Sequence, residues 1–466
     1  MTDTNWCPDL TQYEGPKYLA LSRALRDAVR NGTLPAESRL PTVRDLAWRL
    51  EITPGTVSRA YQLATQEGLL QATVGRGTFV AATSPQLGPT QPLIVDRALV
   101  GQGTVDLRSP SLPHLGQAQA FRSAMLRVAD KIEDDYVDYQ TQAAEMDLRL
   151  AVVDWVADRQ MGPVDEDDIA LTYGGQAGIN LVLNCCLRGD RPVVLAEDLA
   201  YPGFRHAARL SRAEMIGVAL DQHGLRPDAL EAACRRHQAQ ILFLTTEAQN
   251  PTSVRMPEHR RSEIAVIARA YDLQIVEDDC YTVPDCPYPM IRAHAPERTW
   301  YIGSFSKSVS AALRFGYLVC PRGMGNAGRL TAQHISFSLP RPVADMALDL
   351  FQSGAAQRLR AEVQAELSAR LTMMVESLST QDILWQPGLP ILWLRLPSGW
   401  RSSTFTRAAQ AAGILIRSAD EYALVNGHAP NAVRLAVAGG VPRDLYARAL
   451  QRLRDLLNNP PADLAV

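Results

Sequence analysis

The stretch SFSKSVSAALR, residues 304 to 314, sets hydroxyls, an amine and a guanidinium within one short segment. A lysine can give up its proton and condense with an aldehyde, whereas a guanidinium stays charged and suits a phosphate. Of the 47 Lys and Arg residues only three are lysines, Lys17, Lys131 and Lys307, so the amine here stands out from an arginine background. The preceding run TWYIG reads as a strand, which puts Lys307 just past a strand's carboxyl end, where ligands bind in open α/β sheets. Ser304, Ser306 and Arg314 around it make a phosphate-binding set. The same lysine also fits an idle, solvated charge at a strand end.

Other stretches carry complementary groups. IALTYGGQAGINLVLNCCL reads as a strand, a turn at Gly174 and Gly175, and a helix starting near Gln176. Backbone N–H groups and a helix N-terminus then meet at one point, a phosphate cradle. It has neither the GxGxxG of dinucleotide folds nor the P-loop pattern. In LQIVEDDCYTVP, Asp278 ends a strand and Tyr281 follows three residues later. A buried carboxylate can keep a pyridine nitrogen protonated and a phenol can bond a ring hydroxyl, although acidic loop residues are also commonly just solvated. Asn250 precedes a proline turn in TTEAQNPTSVRMP, Tyr201 ends a strand in AEDLAYPGFRH, and Arg434 lies in NAVRLAVAGG. Taken singly these also fit a turn asparagine, a packed tyrosine and a solvated arginine. Arg205, near Tyr201, is either a second anion contact or a surface helix charge.

Such residues need a sheet to bring them together. From about residue 104 helical stretches alternate with the short apolar runs IALTY, RPVVLAE, QILFLTTE, LQIVEDD, TWYIGS and RFGYLVCP, the pattern of an α/β domain with a largely parallel sheet. Beyond residue 340, Arg- and Ala-rich helices with the strands ILWLRLP and VRLAVAGG predict a smaller C-terminal lobe. The first eighty residues differ. Tyr18, Leu21, Leu25, Ala28 and Val29 recur at helical spacing, as do Val43, Leu46, Ala47 and Leu50, and then Val57, Ala60, Tyr61 and Ala64. Thr53 is the N-cap of the third helix and Pro54 its first residue, with Gly68 after its end. LLQATVGRGTFV then turns at Gly-Arg-Gly between two strands, giving a winged helix-turn-helix. Residues 81–103 lose periodicity and gather Pro, Gly, Gln and Thr, a linker.

Bulk composition narrows the class. At 466 residues and 46% hydrophobic content the chain supports more than one core, and its net charge of −3 does not itself announce a polyanionic partner. The first eighty residues carry nine cations against eight anions. No apolar run reaches a membrane span and no secretory signal opens the chain, which predicts a cytoplasmic protein. Seven cysteines without a CxxC pair are read as reduced core thiols, and no metal site is expected.

From residue 104 the chain resembles the fold type I pyridoxal-phosphate enzymes, the aspartate aminotransferase-like group. The resemblance is carried by SFSK with an arginine at plus seven and by EDDxY and NPT upstream. It implies pyridoxal 5'-phosphate (PLP) as cofactor, borne by Lys307 as an internal aldimine. Ser304, Ser306, Arg314 and the amides of Gly175 and Gln176 would lie at the phosphate, Asp278 at the pyridine nitrogen, Tyr281 and Asn250 at the ring oxygen, and Tyr201 on the ring. Arg434 would take the carboxylate of an amino-acid ligand, with Arg205 as a further effector contact. Tyr139 matches the position from which such dimers reach into the neighbouring site, with QTQAA in place of the family's Gly-Asp-Pro-x-Gly.

Residues 1–80 resemble the GntR-type winged helix through LPTVR, TVSRAY and GRGTFV. That implies DNA contacts from Arg44, Thr53, Thr56, Ser58 and Arg59, with the Gly75-Arg76-Gly77 wing tip near the minor groove. The pairing of this head with an aminotransferase-like body at 104–466 is similar to the MocR family of bacterial transcription regulators. It implies operator DNA as a partner, a domain-exchanged homodimer with no membrane association, and an amine or amino-acid effector sensed by aldimine exchange at Lys307. A working aminotransferase with secondary DNA binding, and a dimerisation module without cofactor, are the alternatives.

Overall fold

The computed structural model describes residues 5–13, 15–66, 69–73, 77–81, 103–424 and 429–460. Internal contacts divide the chain into Met1–Val95 and Asp96–Val466. The division falls inside the expected linker, of which residues 82–102 lie outside the described ones.

The first unit contains α1 (Lys17–Arg30), α2 (Val43–Arg49), α3 (Pro54–Gln66), β1 (Leu70–Thr73) and β2 (Gly77–Val80). Most positions at helical spacing are buried, Tyr18, Leu21, Leu25 and Ala28 on α1, Leu46 and Ala47 on α2, Val57, Ala60, Tyr61 and Ala64 on α3, while Val29, Val43 and Leu50 are half-buried. Leu34, Leu40, Leu70 and Val80 complete that core. Thr53 caps α3 by accepting the Thr56 N–H at 3.3 Å, and Pro54 takes the first helical position, where its missing N–H is no loss. Thr42 caps α2, accepting the Asp45 N–H at 3.2 Å. The strands pair antiparallel, Leu70 opposite Val80 and Thr73 opposite Gly77.

The second unit begins with β3 (Val105–Asp106), followed by α4 (Gln117–Ala129), α5 (Met146–Trp155), β4 (Ile169–Thr172), α6 (Gly175–Cys186), β5 (Val193–Glu197), α7 (Pro202–Leu210) and β6 (Glu214–Val218). After the short hairpin β7 (Leu220–Asp221) and β8 (Gly224–Leu225) come β9 (Ile241–Leu244), β10 (Gln274–Asp278), β11 (Thr299–Ser304) and β12 (Gly316–Val319). These form a seven-stranded sheet ordered β4-β12-β11-β10-β9-β5-β6. Strands β4, β9, β11 and β12 are buried at every position, as expected of strands covered on both faces by helices. Only β12 runs against its neighbours, antiparallel to β11 and β4. The link from Ser304 to Gly316 is too short for the crossover that a parallel return requires. The edge strand β6 is an addition to the strands read from sequence, since EMIGV shows neither clean alternation nor full burial.

The C-terminal lobe holds β13 (Ile383–Leu384), β14 (Ile391–Arg395), β15 (Ile414–Leu415), β16 (Arg417–Ser418) and β17 (Ala432–Ala436). Four of them make an antiparallel sheet ordered β13-β14-β17-β16, while β15 pairs in parallel with β3. No helix among the described residues is long and apolar enough to cross a membrane. The cysteines are free, but Cys7 is exposed in the segment before α1 and is not the core thiol expected of it.

Candidate functional site

The site is built where β11 stops. Ser304 ends that strand and caps a 3-10 turn at Phe305–Lys307, its hydroxyl accepting the Ser306 N–H at 3.1 Å. Phe305 is buried among Trp155, Phe315 and Phe351, with ring centroids 4.9 to 5.3 Å away. That anchor fixes the turn and leaves Lys307 half-buried, its Nζ 3.3 Å from Ser109 Oγ.

A cradle faces this turn. Gly174 precedes α6 with φ +89°, a region that favours glycine. A Cβ on Gly174 would meet Arg314 Nη2 at 2.6 Å, one on Gly175 would meet Cys280 Sγ at 2.6 Å, and one on Gly316 would meet the Gly174 Cα at 2.6 Å. The backbone therefore closes around a point that a side chain would fill. Arg314, itself at φ +54°, is exposed; its Nη2 donates to Tyr173 O at 2.7 Å and its Nη1 lies 3.4 Å from Ser306 Oγ. The opening N–H groups of a helix have no intrahelical acceptor, so the α6 N-terminus, Ser306 and Arg314 together present donors and positive charge. Gln176 contributes its backbone there, while its side chain ties α6 to α7 by donating to Gly203 O at 3.1 Å.

At the other end lies Asp278, the last residue of β10. Strand alternation sends the following Asp279 into a buried pair with Arg159 (3.1 Å) and the Tyr301 hydroxyl (2.8 Å), and leaves Asp278 toward the site. Asp278 accepts the Cys280 N–H at 2.9 Å, and burial holds its pKa above the usual carboxylate range. A protonated ring nitrogen would supply the countercharge it lacks. Tyr201 and Tyr281 are half-buried, their phenols pushed up by burial and further by the neighbouring Asp278. Tyr201 stands at the start of α7, where a Cβ on Gly203 would strike its ring at 2.1 Å.

Arg434 on β17 is buried. Its Nη1 donates to Asn250 Oδ1 at 2.8 Å, its Nη2 to the Arg108 carbonyl, and its guanidinium lies 5.0 Å from the Tyr422 ring centroid. Arg205 donates to the carbonyls of Ala423 (3.0 Å) and Glu421 (3.4 Å), so it also fastens the 421–423 segment. Tyr139 is 79% exposed and stacked on Phe337, itself exposed, 5.3 Å between centroids, outside this cluster. Lys307, Ser304, Ser306, Arg314, Gly175, Gln176, Asp278, Tyr201, Tyr281, Asn250 and Arg434 are thus gathered at the sheet's carboxyl end and the adjoining lobe. An amine, a phosphate cradle and an acid for a ring nitrogen fit a phosphorylated pyridine aldehyde such as PLP. Ser109 escaped sequence reasoning, since nothing local marks it.

In the head, Arg44 is exposed on the first turn of α2, and Thr53 is exposed at the start of α3 with its hydroxyl 2.9 Å from that of Thr56. Ser58 is half-buried. Arg59 lies 4.0 Å over the Tyr18 ring and so also packs α3 against α1. Arg76 lies outside the described residues.

Residues 103–453 match the family described as aminotransferase class I and II, and residues 17–80 match the gntR family of bacterial regulatory proteins. An HTH-type transcriptional regulator of Bacillus subtilis, YdeF, is 25% identical over 464 residues, covering 98% of this chain and 97% of its own. The HTH-type transcriptional regulator TauR of Rhodobacter capsulatus is 27% identical over 449 residues, covering 85% and 88%. Among solved structures, an archaeal alanine:glyoxylate aminotransferase superposes with TM-score 0.67 at 20% identity over 76% of this chain and 91% of that one. The α-aminoadipate aminotransferase LysN of Thermus thermophilus, solved with N-(5'-phosphopyridoxyl)-L-leucine, gives 0.65 at 23% identity over 77% and 92%.

Proposed function

Because the chain belongs to the aminotransferase class I and II family through residues 103–453 and carries a GntR-type head at 17–80, the MocR-type architecture of a transcription regulator, we propose that it binds operator DNA through its winged helix and senses a small amine or amino acid at Lys307. The observation that carries this reading is the meeting of Lys307, Asp278 and a glycine-lined cradle beside Arg314 at one sheet end. When bound, PLP supplies an aldehyde able to condense with a primary amine, either that of Lys307 or that of the effector. The α6 amides, Ser306 and Arg314 would hold its phosphate, Asp278 would keep the proton on its ring nitrogen, Tyr281 and Asn250 would meet its ring oxygen, and Tyr201 would cover its face. Arg434 receives the effector's carboxylate as a two-pronged donor. The effector acts on DNA affinity only by favouring one of two body states over the other. The protein works in the cytoplasm as a homodimer with exchanged heads.

Purified protein given PLP should gain a visible absorbance band that Lys307→Ala abolishes. A panel of amines and amino acids should shift that band and change the affinity for operator DNA. Retention of the band in Lys307→Ala overturns the assignment. The amine of Lys307 beside Asp278 and the glycine-lined cradle also supports a second reading, a working aminotransferase in which Lys307 moves the proton for 1,3-transfer. Stoichiometric conversion of bound cofactor to its amine form, with DNA affinity unmoved, would decide for that reading.

A further inference from the structure

The antiparallel register of the small sheet sets Arg417 directly opposite Arg434. Residues so opposed share one face, with Cβ atoms about 4.5–5.5 Å apart, and like charges there repel. The fold keeps the pair with little to neutralise it. Among the described residues Arg434 meets only uncharged acceptors, Asn250 Oδ1 and the Arg108 carbonyl, and its buried Nε has no partner there. Arg417 has one carboxylate, Glu421 at 2.9 Å, whose side chain is 44% exposed. The backbone under Glu421 is fastened independently. Arg205 donates to the Glu421 and Ala423 carbonyls, the Ala200 N–H to Tyr422 O at 3.0 Å, and the Leu424 N–H to Asp198 O at 3.0 Å. The Glu421 side chain can therefore leave Arg417 without the segment moving. Arg417 also lowers the phenol pKa values of Tyr201 and Tyr281 against the effect of burial, so its charge is felt where the ring and effector would sit.

We propose that Arg417 is a second anion contact, and that the effector is an amine bearing two acid groups: one pairs with Arg434, while the other, a carboxylate, sulfonate or phosphonate, replaces Glu421 on Arg417. Glu421 then acts as an internal stand-in that holds Arg417 in place and competes with the ligand. The inference rests on the sensing reading above.

The full chain with bound PLP is titrated with two matched pairs, L-glutamate against L-norvaline and L-aspartate against L-2-aminobutyrate, following the visible band. The di-acid of at least one pair should half-saturate at a concentration lower by about tenfold or more, the size expected of one charge-assisted pair. Arg417→Gln should bring that ratio close to one, Arg417→Lys should restore part of it, and Glu421→Gln should widen it. The band itself, present before titration in every variant, reports a folded and loaded site. An unchanged ratio in Arg417→Gln, or no preference for the di-acid in the wild type, overturns this proposal and leaves the sensing reading standing. A band that no amine or amino acid moves would overturn both.

Discussion

Glu197 ends β5 with one carboxyl oxygen accepting the Thr245 hydroxyl at 3.0 Å and the other buried without a partner, and burial pushes its pKa up to about 8. An unfolded glutamate titrates near about 4.3. Between those values the folded chain keeps a proton that the unfolded chain releases, so this group's contribution to stability falls as pH rises through the window. Glu197→Gln removes the titration and keeps the shape. Its melting temperature relative to wild type should climb steadily from pH 5 to pH 8, and a pH-independent difference would show that the carboxyl does not titrate as stated. At this scale legibility depended on rarity. Lys307 was legible because the chain otherwise writes its cations as arginine, whereas Arg417 was hidden by the same habit and emerges only from the register that opposes it to Arg434. Arg205 reads as an anion contact because of its place beside Tyr201, and what the sequence does not show is that its guanidinium also holds carbonyls supplied by residues more than two hundred positions away.

The cradle depends on elements closing to backbone distance. A Cβ at Gly316, on the antiparallel strand β12, would meet Gly174 Cα, C and N at 2.6, 2.8 and 3.0 Å, all backbone atoms that cannot swing aside. Overpacking of this kind typically costs about 1–3 kcal/mol. Gly316→Ala should therefore weaken PLP binding by at least about tenfold while the sheet survives, as read by absorbance titration and far-UV dichroism; unimpaired binding would mean that the two strands part freely. In the head, exposed Arg44 on α2 is expected at a phosphate. Arg44→Ala should then weaken binding to all DNA sequences alike and reduce the slope of log K against log salt by about 1. A loss confined to one operator would instead place Arg44 at a base edge. Most elements were legible, because helix periodicity, the Thr53 cap and the largely apolar strand runs are local signals. Edge strand β6 was not, since its half-exposed EMIGV has no clear period. Arg59 reads as a DNA-facing cation from its place in TVSRAY, but its guanidinium lies over Tyr18, a contact that only the α1–α3 packing reveals.

The whole molecule carries two kinds of unit in one chain, a winged-helix head within Met1–Val95 and a cofactor-type site within Asp96–Val466. A domain split in sequence imposes no coupling by itself; coupling exists only if the effector-bound body favours one DNA-binding state. Thermodynamic linkage then requires symmetry. If the effector changes operator affinity by some factor, saturating operator must change effector affinity by the same factor, and typical couplings of about 1–3 kcal/mol correspond to roughly 5- to 150-fold. The band at Lys307 reports one side of this cycle and fluorescence anisotropy of labelled operator reports the other. Titrating the effector with and without operator, and operator with and without effector, should return one common factor. Unequal factors at equilibrium would mean that the oligomeric state changes during one titration, which repeating the cycle at several protein concentrations would expose. A common factor of one would show that the body binds its ligand without informing the head, and would move the weight of evidence from a sensor to an enzyme that merely carries a DNA-binding domain.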